Sequence, residues 1–128
     1  MTLEQKLHRA QQHLAGAYDL GELTARQFTI LEYLTTQDGV TQTTIVKATD
    51  IDRSTIATMI AQMAKRGLVA RKRSRTDARA YVVAITDAGR AALKTAKPKI
   101  AKADREAMSQ LNKDQRFALI AALDAIAS

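Results

Sequence analysis

Between Lys65 and Arg79 the chain carries Lys65, Arg66, Arg71, Lys72, Arg73, Arg75 and Arg79 against one acid, Asp77, so seven cations less one anion leave +6 in that stretch. The whole 128-residue chain has a formal charge of +7. Most of the surplus is therefore concentrated in one place, and it favours a polyanionic partner over an acidic small molecule. Arginines at the tip of a hairpin suit a phosphate backbone, and a single one can enter a narrow minor groove, where the negative potential is enhanced. Asp77, two residues before Arg79, can accept hydrogen bonds that shape the loop and aim that arginine. The competing assignment is a solvated charged loop.

A second set of polar groups precedes this stretch. If Ile56, Met59, Ile60 and Met63 form the inward stripe of a helix, the same spacing turns Ser54, Thr55, Thr58, Gln62 and the neighbouring Arg53 outward. Hydroxyls and amides on such a face can meet phosphates or base edges, and a glutamine can bind adenine through two hydrogen bonds. The alternative is an ordinary solvated helix face.

The elements that must position these groups are legible as local signals. Thr41 can cap a short helix that begins with Gln42, runs to about Ala48 and turns Ile45 inward. Thr49-Asp50-Ile51 is a polar turn with one apolar plug, and Asp52 caps the next helix. Two short helices joined by a tight turn predict a helix-turn-helix, whose second helix lies in a major groove. Gly67 is placed to end that helix in the left-handed conformation. Beyond it the apolar period changes: Leu68-Val69-Ala70 and Tyr81-Val82-Val83-Ala84-Ile85 read as two antiparallel strands around a long basic hairpin loop.

The flanks are helical. Leu3, Leu7, Ala10, Leu14 and Ala17 form one stripe, with Gly16 and Gly21 bracketing its end. Thr24 and Gln27 make a capping box for a helix that buries Phe28, Leu31 and Leu34 and stops at Gln37-Asp38-Gly39. From Thr86 onward the residues are strong helix formers. Pro98 is expected to kink or break this run, and Asn112 with Gln115 opens the last helix, which carries Leu119, Ile120, Leu123 and Ile126 on one face. The predicted class is mainly α with a small β-hairpin wing, in the order ααααββαα. One winged helix-turn-helix domain is expected over residues 1–128, with a lobe at about 24–86 and end helices at about 2–18 and 87–128. End helices striped on one side need a partner, and a second copy of the chain is the simplest one.

Other chemistries lack their residues. There is no cysteine, no glycine-rich phosphate loop and no nucleophile elbow, and the two histidines, His8 and His13, stand about 140° apart on one helix. No enzyme activity, metal site or cofactor is expected. The N-terminus breaks its apolar residues with charge, and no stretch reaches the ~20 apolar residues that span a bilayer, so a cytoplasmic protein with no membrane partner is expected.

The segments LTARQFTILEYL and TQTTIVKATDIDRSTIATMIAQMAKRGLVARKRSRTDARAYVVAITDAG resemble the MarR family of winged helix-turn-helix regulators over roughly residues 20 to 92. The resemblance rests on Asp52-Arg53-Ser54-Thr55, Lys65-Arg66-Gly67-Leu68-Val69, Asp77-Ala78-Arg79 and Ile85-Thr86-Asp87-Ala88-Gly89 at matching spacings. It implies a homodimer built from first and last helices, bound to a near-palindromic double-stranded operator as a repressor released by a small aromatic or carboxylate effector. It implies further that Arg79 is the minor-groove arginine, Asp77 its organiser, and Ser54, Thr55, Thr58 and Gln62 the major-groove face. Thr58 and Gln62 stand where members often carry a basic residue. His13, Tyr18 and Tyr33 are the polar aromatics nearest the implied effector position. A ligand-independent or architectural DNA binder, and a winged-helix protein-interaction module acting as an anti-repressor, remain the alternatives.

Overall fold

Each of the six described helices begins at a side chain that accepts the hydrogen bond of a backbone N–H three residues on; Thr86 opens one of them, and five further caps open the rest. In the computed structural model, which describes residues 1–77 and 80–128, these are Thr2, Thr24, Thr41, Asp52 and Asn112. They open α1 (Leu3–Ala15), α2 (Ala25–Leu34), α3 (Gln42–Thr49), α4 (Arg53–Lys65) and α6 (Lys113–Ala127). At Thr2, Thr24 and Asn112 the glutamine at the third helical position reaches back to the cap's own N–H, so two otherwise orphaned donors are satisfied at each start. Gln27 is buried in the process, yet its amide oxygen is occupied by Thr24 N at 3.0 Å.

Between α4 and α5 (Asp87–Ala107) lie β1 (Val69–Arg73) and β2 (Tyr81–Ile85), paired antiparallel in the register Val69 to Ile85 and Arg73 to Tyr81. The order is ααααββαα. Gly67 closes the α4 end at φ +76°, and Leu68 N then bonds Met63 O at 2.9 Å. Thr86 is the pivot on the other side: its hydroxyl donates to Gly67 O at 2.6 Å and accepts from Gly89 N at 3.0 Å. This holds the first turn of α5 against the end of the α4 turn. Only a glycine fits at 89, because a Cβ there would stand 2.1 Å from the Leu68 carbonyl oxygen.

By internal packing the residues form two units, 20–98 and 1–19 with 99–128. The core of unit 20–98 is built from Phe28, Ile30, Leu31 and Leu34 of α2, Ile45 of α3, Ile56, Met59, Ile60 and Met63 of α4, Val69 and Val83 of the hairpin, and Leu93 and Ala96 of α5. Leu20 and Leu23, bridged to each other across Gly21, plug the same core. In the other unit, α1 and α6 bury none of their residues.

Several expectations are corrected. Arg71, Lys72 and Arg73 belong to β1 rather than to a long loop, since their partners Val83, Val82 and Tyr81 extend the ladder outward. The helix of Phe28 ends at Leu34, ahead of Gln37-Asp38-Gly39, and Ala17 falls beyond the end of α1. Helix α5 is unbroken through Pro98, which is exposed. A proline has no N–H to offer the carbonyl four residues back, and at an exposed site water can take that carbonyl instead.

Candidate nucleic-acid interface

Helices α3 and α4 are joined by a turn that the backbone makes at Asp50, the one described non-glycine residue at positive φ (56°). Thr49 Oγ1 donates to Ile45 O at 2.7 Å and accepts from Ile51 N at 3.4 Å, and Ile51 is half-buried as the plug of the turn. Asp52 then starts α4 with both carboxylate oxygens engaged, one by Thr55 N at 2.8 Å and the other by Thr55 Oγ1 at 2.7 Å. The Thr55 hydroxyl, followed by the Thr55 N–H, holds the Asp52 carboxyl below its usual range. Thr55 is thereby committed to the cap, while its hydroxyl oxygen can still accept.

Further along α4, Ile56, Met59, Ile60 and Met63 face the core, and Ser54, Thr58 and Gln62 are exposed on the opposite side. This is the polar face that the spacing predicts. Arg53 is exposed at the first turn and donates to Thr43 Oγ1 of α3 at 3.2 Å, a pairing ten residues apart that no local pattern signals. Thr41 and Gln42 are half-buried at the start of α3, where the Thr41 hydroxyl accepts from Thr44 N at 3.2 Å.

The hairpin is fastened to this pair of helices from its far edge. Val40 N donates to Val83 O at 3.0 Å and Val83 N to Val40 O at 2.7 Å, so the residue preceding the α3 cap makes a third, one-residue strand against β2. One consequence is that the wing base and the beginning of α3 share two backbone hydrogen bonds. Another fastening reaches the end of α4, where Arg66 Nη1 donates to Glu22 O at 2.8 Å and Nη2 lies 3.4 Å from the Glu22 carboxylate. Neither link was visible as a motif, since each joins residues more than forty apart.

Strand alternation sorts the basic residues. Arg71 and Arg73 share a face with Val69 and Val83, which are buried at its inner end. Lys72 occupies the opposite face with Val82 and Ala84, along a cleft of about 440 Å³ that also takes in Asp38, Thr41 and Thr44. At the tip, Ser74 N donates to Ala80 O at 2.9 Å and Ala80 N to Asp77 O at 3.0 Å, closing the loop. Arg75 and Asp77 are exposed there. Arg79 and Ala78 lie outside the described residues, and with them the expectation that Asp77 aims Arg79.

The predicted effector residues are divided between the two units. His13 and Tyr18 both line a groove of about 800 Å³ in unit 1–19 with 99–128, walled by Leu14, Leu119, Ile120 and Leu123. Tyr33 belongs to α2 of the other unit. Tyr18 donates its phenolic proton to Asp104 Oδ1 at 2.5 Å. That bond, then burial, then the carboxylate's charge push the Tyr18 phenol up to about 12. Tyr18 is thus a neutral phenol whose proton is already committed. Among the described residues no cluster of three or more histidines and acids could hold a metal ion, and no helix is long and apolar enough to cross a membrane.

The comparisons with known proteins agree with one another. A family model described as the MarR family matches residues 22–80, which contain the helix-turn-helix and the first strand of the wing and stop just before β2. The transcriptional regulator HosA of Escherichia coli O127:H6 is 30% identical over 107 residues, spanning 83% of this chain and 79% of HosA. Among solved structures, BpsR of Bordetella bronchiseptica, whose DNA binding is regulated by 6-hydroxynicotinic acid, is similar at 27% identity and a TM-score of 0.91, over 99% of this chain and 94% of that one. The transcriptional repressor CouR, bound to a 23-mer DNA duplex, is similar at 32% identity and a TM-score of 0.86, over 99% and 93% of the two chains. With its winged helix-turn-helix in the family's order of elements and its match to the family model, the chain belongs to the MarR family of transcriptional regulators.

Proposed function

We propose that the protein is a cytoplasmic, homodimeric repressor that binds a near-palindromic duplex operator and is released by a small aromatic or carboxylate effector. In this reading unit 20–98 is the DNA-binding lobe and unit 1–19 with 99–128 makes the dimer. The observation that carries it is the adjacency, within one packed unit, of the polar face Ser54, Thr58 and Gln62 and a hairpin bearing Arg71, Lys72, Arg73 and Arg75. An α-helix fits a major groove, and a basic hairpin beside it suits the flanking phosphates and minor groove. Arg53, Thr55, Thr41 and Gln42 supply further donors and acceptors to the backbone, and Arg79 is assigned to the minor groove with Asp77 as its organiser.

What BpsR does with an aromatic acid and CouR with duplex DNA supports the same roles here. His13 and Tyr18 are the groups assigned to the effector, with Tyr33 a third. Because the Tyr18 proton is committed to Asp104, an effector meets Tyr18 first as an acceptor. The protein is read as a binder rather than an enzyme, as its relatives are transcriptional regulators.

The test is a fluorescence titration of duplex DNA at several salt concentrations, paired with sedimentation. We expect log affinity to fall with log salt by about 0.9 per phosphate contact, and Arg79→Ala to weaken binding on the order of tenfold. A protein that stays monomeric, or that ignores duplexes at low ionic strength, would overturn this function.

A further inference from the structure

On the wing, one aromatic residue has no place in the helix-turn-helix chemistry described so far. Tyr81 opens β2, is 55% exposed, and is the cross-strand partner of Arg73, whose guanidinium carbon lies 5.4 Å from the centre of the tyrosine ring. The pair stands at the outer end of the face whose inner end is the buried Val69 and Val83, with exposed Arg71 between. Tyr81 is not among the core residues, and its ring lies beneath the Arg73 guanidinium.

We infer that Tyr81 is a positioning residue for DNA binding, holding the Arg73 guanidinium in place so that Arg73 grips a backbone phosphate of the duplex. The inference rests on the DNA-binding function proposed above. A guanidinium stacks through its flat face and donates hydrogen bonds along its edge, so the ring and a phosphate oxygen occupy different sides of the same group. An arginine with many rotamers loses much of its freedom on binding. One already restrained by an aromatic partner loses less, and that saving appears as affinity.

Cross-strand geometry makes the restraint local. Residues directly opposite on an antiparallel pair have Cβ atoms ~5 Å apart, close enough for a ring and a guanidinium to remain in register as the hairpin moves. Arg71, in contrast, is opposite the buried Val83, and Arg75 lies in the loop beyond the ladder. Among the described residues, the cation–π contact singles out Arg73 within the basic stretch.

The experiment measures binding of the full-length protein to a fluorescein-labelled random-sequence duplex across a salt series, since a phosphate contact needs no particular sequence. Tyr81→Leu should weaken binding about two- to five-fold, the range expected for an exposed cation–π contact, without changing the salt slope. Tyr81→Phe, which keeps the ring, should recover the affinity that leucine loses. Arg73→Ala should weaken binding more and lower the salt slope by about one, and adding Tyr81→Leu to it should cost nothing further. If phenylalanine fails like leucine, or if leucine weakens the Arg73→Ala protein as much as the wild type, the ring does not act through Arg73 and the inference falls. Failure of the wild-type protein to bind the duplex at all would instead sink the function proposed above.

Discussion

Unit 20–98 buries whole apolar side chains from four helices and both strands, whereas α1 and α6 of unit 1–19 with 99–128 bury none of theirs. Ile30, Leu31, Leu34, Ile45, Ile56, Ile60, Met63 and Val83 are fully enclosed in the first. In the second, Phe117 is 77% exposed and Ile126 70%, and Leu3, Leu7, Leu14, Leu119, Ile120 and Leu123 are all exposed as well. So many exposed large apolar side chains on α1 and α6 suit a face that another molecule covers. The difference teaches that one unit closes over its own apolar side chains, while the other carries apolar side chains that it does not itself cover, the face that the proposed function gives to a second copy.

The contrast can be broken most completely at the open face. Replacing Leu119 and Leu123 together by glutamate should give a monomer in sedimentation while leaving the unit 20–98 core intact by near-ultraviolet spectra. Losing the second half-site contact should then lower affinity for a two-half-site duplex by roughly a hundredfold or more. A dimer that persists would show that copies pair through another face.

Unit 20–98 should fail differently, from within. Gly89→Ala forces a methyl group toward the backbone carbonyl of Leu68, which cannot turn aside, and overpacking of this kind costs about 1–3 kcal/mol. A thermal melt is expected to drop by several degrees with the oligomeric state unchanged. An unaltered melting temperature would mean that α5 shifts freely at its first turn.

A smaller effect sharpens the comparison on the open side. The Tyr18 pKa is raised in the folded protein from 10.0 to about 12, so its hydrogen bond to Asp104 contributes fully below pH 10 and is lost as pH climbs toward 12. Tyr18→Phe should remove about 1 kcal/mol or less at neutral pH, in keeping with a partly exposed hydrogen bond. The difference between wild type and variant in urea unfolding should vanish near pH 12. A difference that stays constant with pH would assign the effect to packing rather than to the phenolic proton.

Much of the architecture was legible because it is made by interactions spanning three or four residues. The caps at Thr24, Thr41, Asp52 and Asn112, the left-handed Gly67 and the inward stripe of α4 all follow from local hydrogen bonding and helical period, and the structure has each of them. The polar face of Ser54, Thr58 and Gln62 followed for the same reason. The wing was legible as a hairpin but not in its extent, because Arg71 to Arg73 are poor strand formers by pattern and become strand only through their partners on β2. Of the two outcomes expected at Pro98, a break does not occur, because at this exposed position the helix continues through the proline.

Residue types and short-range spacing thus determined by themselves that the chain is mainly helical with a basic hairpin, where its helices start, and which face of α4 is polar. Only the tertiary structure decided which distant groups meet. Val40 with Val83, Arg66 with Glu22, Arg53 with Thr43 and Tyr18 with Asp104 are contacts that no periodicity encodes. The physical reason is range: a cap or a stripe is selected by the backbone's own repeat, whereas these pairs exist because folding brings distant segments together, and their polar groups then satisfy one another where they arrive.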